Sequence, residues 1–284
     1  MTVFAIIPVH NRLEHTRGVL AALRKQTVIE SIRIVVVDDG STDGTWDYLS
    51  SQHDVIALSG DGNLWWAGAI QLGLKRVLPT AAPTDFVLFL NNDTQFAEDY
   101  VATLITACGV NGDIAVGSAI VEDTDTTRIV SIGPRCDIWR LGIWDIFNEL
   151  SPEEKRSPKA LYDVDALSGR GTIYPVSLFR RYGLMKPFLL PHYRADYELA
   201  MRFARDGHAR LLVSTTARVI SPPVYGNATG DFSTWQRLFS RRSSANVLYA
   251  LIFFSLIGSP LQRATAPLRL AYRLARDRAR KPKA

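Results

Sequence analysis

The chain has 284 residues, 47% of them hydrophobic and 21% charged, and carries a net charge of +5. This length allows a substantial core in one large α/β domain or two smaller ones, and the composition excludes a disordered chain. The basic residues gather late, at Arg241 and Arg242 and from Arg269 to Lys283, which describes a basic tail on a nearly neutral body and argues against a nucleic-acid partner.

The first segment, FAIIPV from Phe4 to Val9, is an apolar run with Pro8 near its end, where a missing N–H is tolerated. It reads as a strand and not as a signal peptide, since MTVFAIIPVHNR lacks a basic segment followed by a long apolar one. From Leu13 to Gln26 the residues Leu13, Val19, Leu20 and Leu23 recur at helical spacing. IRIVVVDDGS is a β-branched strand that ends in Asp38, Asp39 and Gly40; TWDYLSS resumes a helical pattern, and DVIALSG from Asp54 adds a third strand. A helix from Ala67 to Leu78 leads to PTDFVLFL, a strand that ends in Asn91, Asn92 and Asp93. Such alternation predicts a parallel sheet with right-handed crossovers.

In open parallel sheets, ligands lie beyond the carboxyl ends of the strands, near a topological switch point. His10 and Asn11, Asp38 and Asp39, and Asn91 to Asp93 all occupy such ends. Three polar clusters on one edge suggest a site, although Asn and Asp are also ordinary turn formers.

Beyond Phe96 the pattern predicts a helix from Asp99 to Cys108, a strand IAVGSAIV, and a segment holding Trp139, Trp144 and Phe147. SPEEKRSPK, Ser151 to Lys159, reads as a charged, proline-punctuated loop. A helix comes next from about Asp196 to Asp206, and there is no internal repeat. Cys108 and Cys136 are the two cysteines, too few for a disulfide framework or a cysteine-based zinc site; they fit a reducing compartment, the cytoplasm.

NVLYALIFFSLIG, Asn246 to Gly258, is almost wholly apolar but falls short of the ~20 residues a membrane-spanning helix requires. Pro260 and Pro267 interrupt the next segment, and PLRLAYRLARDRARK mixes leucines with arginines as an interfacial amphipathic element facing anionic lipid does. A buried core helix with a solvated tail is the other reading.

Neither GxxxxGK[ST] nor a GxGxxG between the first strand and helix is present, so P-loop and dinucleotide-binding sites lose their main support. A hard divalent cation takes oxygen ligands and bridges nucleotide phosphates, usually through one or two carboxylates. Asp93 fits that role with Asn91 assisting, and a carboxylate such as Asp39 can accept from the imide N–H of uracil or thymine.

PVHNR, VVVDDGSTDGT, NND and ADYELAMR, in that order, resemble a family 2 glycosyltransferase, and the resemblance runs from about Val3 to about Val219. GDGNLWWAGAI, Gly60 to Ile70, resembles a rhamnosyltransferase-like subset serving bacterial polysaccharides. The resemblance implies an α/β GT-A fold: a Rossmann-like, mostly parallel central sheet flanked by helices, with C-terminal amphipathic helices. It places the GT-A domain at residues 1–225 and a basic helical extension at 226–284.

It further implies a nucleotide-sugar donor lying against Pro8, His10, Asn11, Asp38, Asp39, Asn63, Trp66, Gly68 and Asn92. In that arrangement His10 stacks beside the base, Asp39 hydrogen-bonds it, and Asp93 with Asn91 holds Mg²⁺ or Mn²⁺ on the diphosphate. NND carries an amide where the DxD pattern has its first acid. Asp196 of ADYE occupies the place of the catalytic base, with Ala195 replacing the acid before it. There it would deprotonate an acceptor hydroxyl attacking the anomeric carbon, while the metal stabilises the leaving diphosphate. An N-terminal helix acid favoured by the macrodipole is the plainer reading of the same residue. Glu198 lies two residues on, off that helix face, and Arg202 packs or pairs structurally.

Acceptor or phosphate contacts fall to Trp65, Gly169, Arg170, His192 and Glu198. Trp65 and Trp66 divide between sugar-facing and core roles, since aromatic faces suit both. Arg170 of SGRGT can meet a phosphate, or Gly169 and Gly171 shape a turn. Some relatives place a metal-binding histidine where RVISPP stands here; Ser221 occupies that place, and His192 is a substitute or simply structural.

The expectation is an inverting, metal-dependent glycosyltransferase using a UDP- or dTDP-sugar, with dTDP-rhamnose within that class. Its acceptor would be a lipid-linked glycan presented at the inner face of the cell membrane, where the protein sits as a peripheral enzyme, alone or as a homo-oligomer. Two alternatives stand beside it. A sugar nucleotidyltransferase would show a glycine-rich basic loop where PVHNRLEH lies, and a carbohydrate-binding scaffold on a degenerate GT-A fold would lack the base chemistry.

Overall fold

In β1, Val3–Val9, successive side chains alternate between two apolar layers: Phe4 and Ile6 enter one, and Val3, Ala5, Ile7 and Val9 the other. A strand buried on both faces reads as a continuous apolar run, as FAIIPV does. The protein is described here by a computed structural model that covers residues 1–109, 113–221 and 232–279. After β1 come α1 (Leu13–Arg24), β2 (Ile32–Asp38), α2 (Thr45–Ser50), β3 (Val55–Ser59), α3 (Trp65–Val77), β4 (Phe86–Phe89) and α4 (Tyr100–Cys108). α1 presents Val19, Leu20 and Leu23 to one face of the sheet, and α3 presents Ala67, Ile70, Leu74 and Val77 to the other.

The second half continues with β5 (Ile114–Val121), β6 (Ile129–Ser131), β7 (Pro134–Asp137), β8 (Gly142–Asp145), α5 (Pro152–Arg156), β9 (Leu161–Asp163), β10 (Thr172–Pro175), α6 (Val176–Tyr182), α7 (Ala195–Ala204) and β11 (Arg210–Ile220). It closes with α8 (Thr234–Phe239), α9 (Val247–Ile257) and α10 (Pro260–Ala279). The main sheet has the order β3-β2-β1-β4-β10-β5-β11-β9, with β6 paired to β5, and β7–β8 form a separate hairpin.

Strands β1 to β4 are mutually parallel, as are β5 and β11, whereas β10 runs antiparallel to both β4 and β5. The order reverses between β1 and β4, the switch point at which a ligand crevice is expected. Because β10 is reversed, its beginning lies beside the end of β4, with Thr172 opposite Phe89. Gly169 and Arg170 are thereby delivered to the edge that carries His10, Asp39 and Asp93.

Two sequence expectations change. SPEEKRSPK is not an open loop: Pro152–Arg156 forms a helical turn closed by a capping box, in which Ser151 accepts from the Glu154 N–H and Glu154 accepts from the Ser151 N–H. Pro267 does not interrupt the last helix but lies inside α10. An internal proline costs about 3 kcal/mol. Burial of Phe253 and Phe254 on α9, at roughly 1.5–3 kcal/mol each, together with Ala266 and Leu270 of α10, offsets that cost. Pro260, at the helix start, is tolerated there, and Ser259 with Gln262 makes another reciprocal cap.

α9 packs on α7 and α10 on α9, so these helices join the apolar layer shared by α3, α6 and α7. The Arg269 guanidinium binds the Ile138 and Trp139 carbonyls, which ties α10 to the β7–β8 hairpin. The expected domain boundary at 225, the prolines of RVISPP and the end of the basic tail from 280 onward lie outside the described residues.

Candidate active site

The DDGSTDG segment after β2 is a set of side chains that hold backbone. Asp38 is 1% exposed and accepts from the Ser41 N–H and hydroxyl. Asp43 accepts from the Arg12 and Leu13 N–H groups at 2.7 and 3.0 Å, which fixes the start of α1. Its bond from the Thr45 hydroxyl, with the backbone bonds, lowers its pKa against the opposing effect of desolvation. Asn11 uses its side-chain oxygen for the Thr42 N–H at 2.7 Å and adopts φ 46°, and Arg12 adopts φ 155°. This bend turns the chain sharply at the carboxyl end of β1.

Asp39 does something more specific. One carboxylate oxygen accepts from the N–H groups of Gly62 and Leu64 at 2.9 and 3.2 Å, and the other from Trp65 at 3.0 Å. A carboxylate offers about four acceptor positions, so these three bonds leave one on Oδ2 for a further donor. His10, exposed beside it, places Nδ1 2.7 Å from the Asp39 carbonyl oxygen. Only an N–H can bind a carbonyl there, so Nδ1 carries the proton, and Nε2 accepts from the Asn11 amide at 3.3 Å.

The loop that Asp39 holds presents two tryptophans in opposite ways. Trp66 is half-buried, meets Phe89 edge-on with centroids 6.1 Å apart, and donates Nε1–H to the Asn91 side-chain oxygen at 3.1 Å. Its ring also covers Gly169, where an added Cβ would lie 2.0 Å from Trp66 Cζ2. Trp65, at φ 56°, lines a cavity of about 410 Å³ together with Asn63 and Gly68, and its ring lies 6.0 Å from that of His192.

Asp93 has one oxygen paired with Arg12 Nη1 at 2.8 Å. Its other oxygen is buried with no hydrogen-bond partner among the described residues. Asn92 is buried and donates to the Thr16 hydroxyl at 3.3 Å, which anchors the turn on α1. Ser221, whose buried hydroxyl also has no partner among the described residues, comes after Ile220, which bridges antiparallel to Gln95 two residues beyond Asp93. No group of three or more His, Cys, Asp or Glu able to hold a metal alone occurs among the described residues.

Asp196 lies in the first turn of α7, half-buried. Its Oδ2 accepts from the Gly169 N–H at 2.8 Å and its Oδ1 from the Tyr197 N–H at 2.9 Å. Burial raises its pKa, and the two N–H bonds and the positive charge of Arg170 oppose that rise without cancelling it. Burial likewise lowers the His192 pKa to about 4, so the ring is neutral at pH 7, and its Nδ1 is buried without a partner among the described residues.

Glu198 stands apart from this group. It is 3% exposed, and its carboxylate meets Lys186 at 2.8 Å and the Arg202 guanidinium at 3.0 and 3.1 Å. Desolvation pushes its pKa up, but the Arg202 and Lys186 bonds and charges outweigh it and the net shift is downward. Arg202 also binds the Tyr182 and Leu184 carbonyls, so the pair ties α7 to the end of α6. The acceptor contact expected of Glu198 is therefore replaced by a structural one, as foreseen for Arg202.

The geometry thus connects most of the residues singled out in the sequence. Asp39 clamps the loop bearing Trp65 and Trp66; Trp66 joins Asn91 to Gly169; Gly169 donates to Asp196. Pro8 remains within β1, paired in register with Val37. Arg12 and Asp43 were missed, although both lie in the motifs PVHNR and DDGSTDGT, and the signal for Arg12 was a lone cation at a strand end crowded with carboxylates.

Residues 4–183 match the sequence model described as Glycosyl transferase family 2. A dolichol-phosphate mannosyltransferase of Pyrococcus furiosus is 30% identical over 125 residues, 43% of this chain and 34% of that protein. A putative glycosyltransferase EpsH of Bacillus subtilis is 27% identical over 130 residues, 43% of this chain and 35% of that protein. The matches thus span about a third of the length of these curated relatives. Among solved structures, GalNAc-T7 with UDP, GalNAc and Mn²⁺ superposes with a TM-score of 0.63 at 17% identity, over 98% of this chain and 54% of that one. The mannosyltransferase PcManGT of Pyrobaculum calidifontis, in complex with GDP-Man and Mn²⁺, gives 0.56 at 15% identity, over 98% and 75%. Both carry the same fold, with its mostly parallel central sheet.

Proposed function

The chain belongs to glycosyltransferase family 2, and on that premise we propose that it is an inverting, metal-dependent glycosyltransferase. It moves a sugar from a UDP- or dTDP-sugar, a class that includes dTDP-rhamnose, to a lipid-linked glycan acceptor. The observation that carries this reading is the run of contacts from Asp39 through Trp65, Trp66, Asn91 and Gly169 to Asp196, which supports one site rather than scattered turn residues.

The residues present fit a metal. Asp93 offers a buried carboxylate oxygen with no hydrogen-bond partner among the described residues and Asn91 an amide oxygen, the hard donors that Mg²⁺ or Mn²⁺ prefers when phosphate and water complete the shell. When bound, the ion would offset charge developing on the leaving diphosphate. Two structural neighbours bind Mn²⁺ with a nucleotide or nucleotide sugar.

The chain's own residues do the rest. The remaining acceptor position of Asp39 faces a base imide, and His10, its tautomer set by the Asp39 carbonyl, offers a fixed ring beside it. Asp196, with a raised pKa and both oxygens oriented by N–H groups, takes the proton from the acceptor hydroxyl as that oxygen forms the new glycosidic bond. Attack from the face opposite the departing diphosphate inverts the anomeric centre.

Membrane attachment is peripheral. No helix among the described residues is long and apolar enough to cross a membrane. Trp235 and Phe239 of α8 stack together and are 74% and 54% exposed, and Leu261, Leu268 and Tyr272 form an exposed stripe on α10. Exposed Arg241 and Arg242 lie beside α8, an arrangement suited to an anionic surface.

The test is release of nucleoside diphosphate from a panel of UDP- and dTDP-sugars, with and without Mn²⁺, for the wild type, Asp93→Ala and Asp196→Asn. Metal-dependent turnover of one donor, lost in both variants, supports the reading, and the product's anomeric configuration reports inversion. Donor binding without turnover under any acceptor would move the protein to the scaffold class.

A further inference from the structure

The cavity beside Trp65 shares Asn63 and Gly68 with the expected donor contacts, but the rest of its lining differs in chemistry from the strand ends. Along α3 and the residues just before it, Leu64, Gly68, Gln71 or Leu72 and Lys75 recur at helical spacing and form one wall. Pro187, Phe188 and Pro191, on the segment leading into α7, form the second, and Arg241 from the turn between α8 and α9 with Tyr249 of α9 the third. The first two walls are fixed to each other: the Ala67 N–H binds the Pro191 carbonyl at 3.0 Å, and the Gln71 amide binds the Met185 carbonyl at 2.9 Å.

Two cations, Lys75 and Arg241, line this space, and no carboxylate among the described residues does. Both are exposed, and neither has an ion pair or side-chain hydrogen bond among the described residues. Around them lie apolar and aromatic faces: Leu72, Trp65, Tyr249 and Phe188, which is 96% exposed at the rim. A cation pair alone would suit any anion, and an apolar cleft alone any hydrophobe. Together, in about 410 Å³, they select a molecule carrying both.

We propose that this cavity binds a phosphate-headed amphiphile, the phosphate against Lys75 and Arg241 and the apolar chain along Phe188, Leu72 and Tyr249. Trp65 gives the cavity one border with the loop clamped by Asp39, and Pro191 the other with the segment that leads to Asp196. An amphiphile held there lies between donor loop and base segment, so that it is the acceptor's lipid-phosphate end. That last assignment rests on the glycosyltransferase reading; the binding itself does not.

The experiment is calorimetric titration of the full chain with dodecyl phosphate below its micelle concentration, against inorganic phosphate and dodecyl maltoside, with UDP and dTDP titrated separately in the presence of Mn²⁺. Saturable binding of dodecyl phosphate is expected, about tenfold weaker in the Lys75→Ala/Arg241→Ala variant, with the other two probes failing to compete. A Trp235→Ala/Phe239→Ala variant keeps wild-type affinity. Equal affinity in the Lys75/Arg241 variant overturns the proposal, as does equal binding of dodecyl maltoside. Competition by inorganic phosphate alone makes the site a plain anion site, and loss of binding in the Trp235/Phe239 variant puts the amphiphile on α8; either result also overturns it. Both cations are exposed, and matching melting temperatures confirm that the variants fold. Failure of both UDP and dTDP to bind in the presence of Mn²⁺ would remove the transferase reading while leaving the amphiphile result intact.

Discussion

Arg12 Nη1 donates to Asp93 Oδ2 at 2.8 Å, joining the residue that lies just beyond β1 to the one that ends the turn after β4. The Arg12 side chain is 54% exposed and that of Asp93 only 9%, so the guanidinium supplies a positive charge to a carboxylate that has little water of its own. A divalent ion on Asp93 would compete with that guanidinium.

Replacing Arg12 with Ala therefore strengthens metal binding in the absence of nucleotide. A partly exposed pair is worth up to about 1 kcal/mol, so Mn²⁺ affinity rises by up to about fivefold. Electron paramagnetic resonance of free Mn²⁺ measures this without turnover. Unchanged or weaker binding would mean that Asp93 does not hold the ion.

Asp196→Asn removes the proposed base but keeps an acceptor oxygen for one of the two N–H groups. Turnover is expected to fall by about 10²–10⁴-fold with donor affinity retained. In the wild type the rate rises with pH through a value above the ordinary aspartate range, because burial raises this pKa and only the ionised form accepts the proton. The folded state binds the proton more tightly than the unfolded one, so this group's contribution to stability is greatest at low pH. It declines as pH rises through the folded pKa. Asp196→Asn should accordingly melt higher than the wild type at pH 7, which calorimetry checks.

Glu198 has the opposite sign. Its pKa is lowered in the folded state, so its stabilisation is present above the ordinary glutamate value and is lost as pH falls through the folded value. Glu198→Ala leaves the Arg202 guanidinium, 15% exposed, without its carboxylate and costs about 3–5 kcal/mol. Urea melts read this directly. Nucleotide affinity of the folded fraction stays at the wild-type value.

Gly169→Ala puts a methyl group 2.0 Å from Trp66 Cζ2. The ring must move, and with it the Asn91 bond; overpacking of this kind costs about 1–3 kcal/mol. Melting temperature and turnover both fall, and a second change, Trp66→Phe, recovers the melting temperature because the six-membered ring is smaller. No recovery would show that the conflict lies elsewhere.

Asp39→Ala frees the amides of Gly62, Leu64 and Trp65. Their hydrogen exchange should accelerate at least about tenfold, since each loses its acceptor, while exchange in β1 stays slow. Nucleotide affinity falls in parallel if the loop is part of the donor site.

How much of the fold and site was legible in the chain depends on the range of the signal. FAIIPV, IRIVVV and FVLFL gave their strands because burial on both faces leaves an apolar run, and the polar ends of those runs share one edge, that of the candidate site, because parallel strands all end on the same side. Capping of SPEEKRSPK was legible too, in a serine with a glutamate three residues on, but the charged, proline-marked stretch favoured a loop. Hydrophobic spacing is a local property, and it determined the parallel half of the sheet and Asp196 at the head of its helix.

Tertiary structure decided what local spacing does not carry. The antiparallel entry of β10 brings Gly169 to Asn91's side of the sheet, across 78 positions of sequence, and only there does Trp66 join the two. Whether Glu198 serves chemistry or packing was set by Lys186 and Arg202 meeting it in the interior. Pro267 stays helical because packing of α9 and α10 on the core outweighs a local penalty. In each case the deciding energy is a contact between distant segments, and such contacts exist only once the chain has folded.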